Sequence, residues 1–127
     1  MTEADLLPLL LDVNQDIDTQ FQFWISITFA VLVASFVAAE RLSRFERGVI
    51  ASLYLCAATI ILLRYTSALV HQQDVLDLFV ANGLSEPAVP ALAGLLRFTL
   101  FTLGSLVTAF SVLFPEFGAG RREAGSA

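Results

Sequence analysis

Residues 21–39 read FQFWISITFAVLVASFVAA, with no charged side chain among them. Asp12, Asp16 and Asp18 stand just before the stretch, and Glu40 and Arg41 follow it. A helix rises 1.5 Å per residue, so about 20 apolar residues cross the ~30 Å hydrocarbon layer of a bilayer. The stretch therefore predicts a membrane-spanning helix. Two further segments predict the same: residues 49–70, VIASLYLCAATIILLRYTSALV, and residues 91–114, ALAGLLRFTLFTLGSLVTAFSVLF. None of the three contains proline. Backbone polar groups inside lipid must pair within the chain, and the alternating pattern of a barrel strand is absent. Helices are the predicted form.

Composition agrees. The chain has 127 residues, of which 57% are hydrophobic and 15% charged, and its mean hydropathy is +0.76. A soluble domain carries about 25% charged residues. The expected fold is an all-α integral membrane protein in one membrane domain over residues 1–127. Net charge is −5, and all seven cations are arginine. With no basic surface, nucleic acid is not an expected partner. Cys56 is the single cysteine and His71 the single histidine. One of each is too few for a structural zinc site or an internal disulfide. No metal and no cofactor is expected.

Arginine placement predicts orientation. Arg41, Arg44 and Arg47 lie between the first two spans, and Arg121 and Arg122 follow the third, while residues 1–20 and 71–90 carry no Lys or Arg. By the positive-inside rule, residues 40–48 form a cytoplasmic loop and residues 115–127 a flexible cytoplasmic tail. Residues 1–20 and 71–90 are then outside, and the expected location is a bacterial cytoplasmic membrane. The acidic start, Glu3, Asp5 and Asp12, lacks the basic region of a signal peptide, so an uncleaved start is expected. Two short interfacial helices are also predicted. One covers residues 5–13. The other covers residues 72–81, where Val75, Leu76, Phe79 and Val80 share a face and Asn82-Gly83 is a stop signal. The second is expected to lie flat on the outer surface.

Small residues recur every four positions: Ser26, Ala30, Ala34 and Ala38 in the first span, and Gly48, Ser52 and Cys56 at the second. Thr102, Ser105 and Ala109 form a third stripe in the last. Such spacing lets helices approach closely, so these residues are the expected helix-packing or oligomer seam. Counted from the cytoplasmic ends, Arg64 lies roughly 24 Å up its span and Arg97 roughly 27 Å. Asp16, Asp18, Tyr65 and His71 belong to the same end. The six form a candidate outer-leaflet cluster for an anion or anionic lipid, with simple snorkelling of the arginines as the plainer reading. Glu40 and Arg44 are expected to pair at the inner boundary. Trp24, Phe21, Phe23 and Tyr65 are expected to form an outer aromatic belt.

No nucleophile stands beside a histidine base, and no carboxylate lies mid-span. The expected function is non-enzymatic: an accessory, scaffolding or regulatory subunit of a membrane assembly. It would work in contact with lipid, as a homo-oligomer or with a larger membrane-protein partner. The alternatives are a homo-oligomeric transporter or channel, and an outer-leaflet binder of anionic lipid or anion.

Overall fold

The computed structural model describes residues 2–85, 87 and 91–117. It contains three long helices: α1 (Glu3–Val37), α2 (Arg44–Ala81) and α3 (Ala91–Leu113). Each is long and apolar enough to cross a membrane. The described residues are thus all-helical, with three helices of the length and composition of a multi-pass membrane protein.

The helices pack with the period of a coiled coil. On α1 the buried positions are Leu6, Leu10, Val13, Ile17, Gln20 and Trp24, and on α2 Ala51, Tyr54, Ala58, Ile61, Tyr65, Ala68, Val75, Leu76 and Phe79. Steps of three and four alternate from Leu6 to Trp24 and from Ala51 to Ala68, and Val75 keeps the register seven residues on. That is the 3.5-residue seam of knobs-into-holes packing. On α3 the buried positions are Phe101, Ser105, Thr108, Ala109 and Val112. α1 and α2 run antiparallel, with Asn14 bonded to Gln72 near one end and Thr28 to Tyr54 further along.

Chain ends and turns follow local chemistry. At the start of α1 the Thr2 N–H and hydroxyl both donate to the Asp5 carboxylate, at 2.9 and 2.8 Å. α2 opens with a reciprocal capping box, Ser43 N–H to Glu46 Oε2 at 2.7 Å and Glu46 N–H to Ser43 Oγ at 3.3 Å. It closes at Gly83, whose φ of +70° permits the Leu84 N–H to reach the Phe79 carbonyl at 3.0 Å. This is a Schellman ending, and Leu84 packs back onto the core as such endings favour.

Two expectations change here. Residues 5–13 and 72–81 are not separate interfacial helices; they are continuous with α1 and α2. The apolar face read as lying on lipid instead covers α1, since Val75, Leu76 and Phe79 join Leu6, Leu10, Val13 and Ile17 in one cluster. Val80 alone of that face stays exposed. The acids at 5, 12, 74 and 77 sit on the outer sides of the pair, so the seam runs past them unbroken. The Glu40–Arg44 pair is also absent among the described residues, because α1 ends at Val37 and residues 38–41 form a turn.

Charge-free stretches of the three helices are in register. They cover residues 19–39, 48–63 and 98–115, and their helical parts, 19–37, 48–63 and 98–113, are about 24–28 Å long at 1.5 Å per residue. At one end Asp18 and Arg97, the residues just beyond two of these stretches, touch. At the other end the Arg47 guanidinium donates to the Ala39 carbonyl, and Arg47, Leu42 and Pro115 line one small cavity. α1 has 35 residues and α2 has 38, so they span about 52 and 57 Å. Both overrun the charge-free layer at the same end. There they pair as a two-helix stalk with its own core of Leu6, Leu10, Val13, Val75, Leu76 and Phe79.

Candidate functional site

The polar residues gather where the stalk meets the charge-free layer. α1 presents carboxylates there because Asp12, Asp16 and Asp18 flank the seam positions Val13 and Ile17 rather than occupying them. The α1 helix divides them into two groups.

One group is closed. Arg97 on α3 meets Asp18 on α1 at 2.8 Å, and its guanidinium lies 6.0 Å from the centre of the Phe21 ring. Tyr65 lies at the same level, near enough for both charges to act on its hydroxyl. Its side chain is buried in the stalk core, and its hydroxyl has no hydrogen-bond partner.

The other group is open. Asp12, Gln15, Asp16 and Thr19 of α1 face Arg64, Ser67 and His71 of α2 across a groove of about 670 Å³. Among the described residues Arg64 makes no ion pair and no hydrogen bond. The hydroxyl hydrogens of the groove are already committed. Thr19 donates to the Gln15 carbonyl at 2.8 Å and Ser67 to the Leu63 carbonyl at 3.0 Å. Both oxygens are left as acceptors.

The candidate cluster of Asp16, Asp18, Arg64, Tyr65, His71 and Arg97 is therefore two arrangements. Asp18, Arg97 and Tyr65 form one; Asp16, Arg64 and His71 form the other. Arg121 and Arg122 lie outside the described residues. Among the described residues no three His, Cys, Asp or Glu side chains converge.

The small-residue stripes divide as well. Ser105 and Ala109 are buried and Thr102 half-buried, so the α3 stripe packs within the chain. Ser26, Ala30 and Ala34 are exposed, as are Ser52 and Cys56, while Ala38 and Gly48 are half-buried near the turn. The α1 and α2 stripes thus point away from the bundle. An every-four repeat favours steep right-handed crossings, whereas the 3.5-residue seam selects shallow left-handed ones. The faces of α1 and α2 that meet are those of the seam.

One structural centre is invisible to charge or motif reading. Trp24 and Tyr65 are not belt residues: they are 4% and 2% exposed. The Trp24 indole N–H donates to Ser105 Oγ at 2.9 Å, and its ring stacks on Phe101 at 4.9 Å. Phe23 keeps the exposure a belt residue has. The signal that finds Trp24 is its place in the series 6, 10, 13, 17, 20, 24.

No protein-family model, no curated protein and no solved structure matches the chain.

Proposed function

We propose that this chain is a non-enzymatic subunit of a larger membrane assembly, anchored by three spans and docking through its stalk. The observation that carries the reading is the stalk itself. α1 and α2 continue past the charge-free layer as one packed hairpin, where a simple anchor would end. Its sides carry Glu3, Asp5, Asp12, Asp74 and Asp77 together with the exposed apolar residues Leu7, Leu11 and Val80. An acidic surface with an apolar strip suits a basic, partly apolar protein partner. It disfavours pairing of identical stalks, since like charges would face each other. The exposed stripes Ser26, Ala30, Ala34 and Ser52, Cys56 offer a membrane helix of the same partner a close approach.

On this reading the positive-inside bias of Arg41, Arg44 and Arg47 puts the turn between α1 and α2 in the cytoplasm of a bacterium. The stalk is then outside its cytoplasmic membrane. A pore through a single copy has less support, because Trp24, Ala58, Ile61 and Phe101 fill the centre.

The test is native mass spectrometry of the tagged chain extracted in mild detergent, beside Leu11→Arg. Leu11 is 66% exposed, so the variant keeps the fold. A defined heteromeric mass that Leu11→Arg abolishes supports the proposal. A monomer, or a homo-oligomer indifferent to Leu11→Arg, overturns it.

A further inference from the structure

Two guanidinium–carboxylate sets lie at one level on opposite sides of α1, and only one is closed. Asp18 and Arg97 touch at 2.8 Å. Asp16 and Arg64 line the same groove without an ion pair, with about 670 Å³ of open space along it. We infer that this groove binds the head group of a zwitterionic phospholipid bearing a primary amine. Arg64 takes the phosphate, and Asp16 and Asp12 take the ammonium.

The order of charges along the groove carries the inference. Arg64 immediately follows the charge-free stretch 48–63, so it is the groove's charge nearest the hydrocarbon. Phosphates of a bilayer lie at that boundary, and a planar guanidinium binds phosphate through paired N–H donors. Asp16 and Asp12 lie three and seven residues before Thr19, the first residue of the neighbouring charge-free stretch. They are therefore roughly 4.5 and 10 Å further from the hydrocarbon. An ethanolamine head group presents the same sequence, phosphate first and ammonium beyond it.

Charge balance excludes the obvious competitor. One arginine against two aspartates is a poor site for a lipid with net negative charge. The Asp12 and Asp16 carboxylates and the Ser67 hydroxyl, whose hydrogen is committed to its own helix, present acceptors beyond Arg64 and suit the N–H donors of an ammonium. A quaternary choline has no N–H to give them. His71 lies at the outer end of the groove, seven residues beyond Arg64. This inference does not depend on a protein partner.

The experiment uses the delipidated full chain and native mass spectrometry with equal concentrations of phosphatidylethanolamine, phosphatidylglycerol, phosphatidylcholine and free phosphoethanolamine. The expected result is at least a tenfold preference for phosphatidylethanolamine over each of the others. Arg64→Leu and Asp16→Asn each lower its retention at least fivefold, and Arg64→Lys, which keeps the charge without the paired donors, lowers it less than Arg64→Leu. The double variant Asp12→Asn, Asp16→Asn shifts the preference to phosphatidylglycerol, a reversal that misfolding does not produce. Arg97→Leu leaves retention unchanged. Equal or stronger binding of phosphatidylglycerol by the unaltered chain overturns the assignment. So does indifference to Arg64→Leu in a chain that elutes normally. Equal binding of free phosphoethanolamine assigns the groove to a soluble zwitterion and overturns the lipid.

Discussion

Gly104 and Trp24 fit each other without slack: a Cβ on Gly104 would stand 2.8 Å from two atoms of the Trp24 ring. The ring is fixed on its other sides by Phe101, stacked at 4.9 Å, and by the hydrogen bond to Ser105 at 2.9 Å. It cannot retreat. Gly104→Ala should therefore destabilise the bundle by about 1–3 kcal/mol through overpacking. Trp24→Phe, which removes the donor to Ser105 and leaves a gap where the larger ring packed, should cost at least about 1 kcal/mol, of which the hydrogen bond is a modest part. Thermal unfolding in detergent measures both. A Gly104→Ala variant as stable as the parent would mean that the ring is mobile.

The Asp18–Arg97 ion pair should contribute little to stability. Its side chains are 55% and 39% exposed, and partly exposed pairs are worth about 0–1 kcal/mol. A double-mutant cycle with Asp18→Asn and Arg97→Gln should give a coupling within that range. The coupling should shrink further from low to high salt.

Acid should loosen the beginnings of α1 and α2 before it unfolds the spans. Hydrogen bonds from the Ser43 backbone and then its hydroxyl hold the Glu46 carboxyl below the usual glutamate value, and Thr2 does the same for Asp5. A depressed folded value stabilises the folded helix start above the unfolded value, near pH 4.5 for Glu46. That contribution is lost as pH falls through the depressed folded value. The protection of the Glu46 and Arg47 amides, taken relative to an unstructured chain at each pH, should fall over that interval. Glu46→Gln should remove the pH dependence.

Neighbours on α2 should respond in opposite ways to the same bulk. Ala51 is 2% exposed in the seam, while Ser52 faces outward. Ala51→Phe should cost at least ~1–3 kcal/mol by overpacking. Ser52→Phe should leave the melting temperature unchanged and weaken assembly with a partner. Melting and native mass spectrometry of the pair separate the two roles.

The spans and the charges that bound them were legible in the sequence. Counting from the chain's basic end places Arg64 and Arg97 at similar heights without coordinates. The stalk was not legible, because Asp5, Asp12, Asp74 and Asp77 interrupt hydropathy and suggest helix ends. Hydropathy averages over all faces of a helix, whereas the seam at Leu6, Leu10, Val13 and Ile17 uses one face. Small-residue stripes misled for a related reason. Ser26, Ala30 and Ala34 show which face permits close contact, but the larger side chains at Trp24 and Tyr54 decide which face is used. The split of the polar cluster was also hidden, since Asp16 and Asp18 are adjacent in height but point to opposite sides of α1.

Neither α1 nor α2 contains proline or glycine between residues 12 and 24 or between residues 60 and 75, so the hairpin has no hinge where it leaves the bilayer. The buried seam crosses that boundary on both helices, from Ile17 to Trp24 and from Ile61 to Ala68. Stalk and spans therefore turn as a single lever. A push at the tip, near Leu6 and Phe79, tilts the membrane helices, and a change in their tilt is read out as a displacement of the tip.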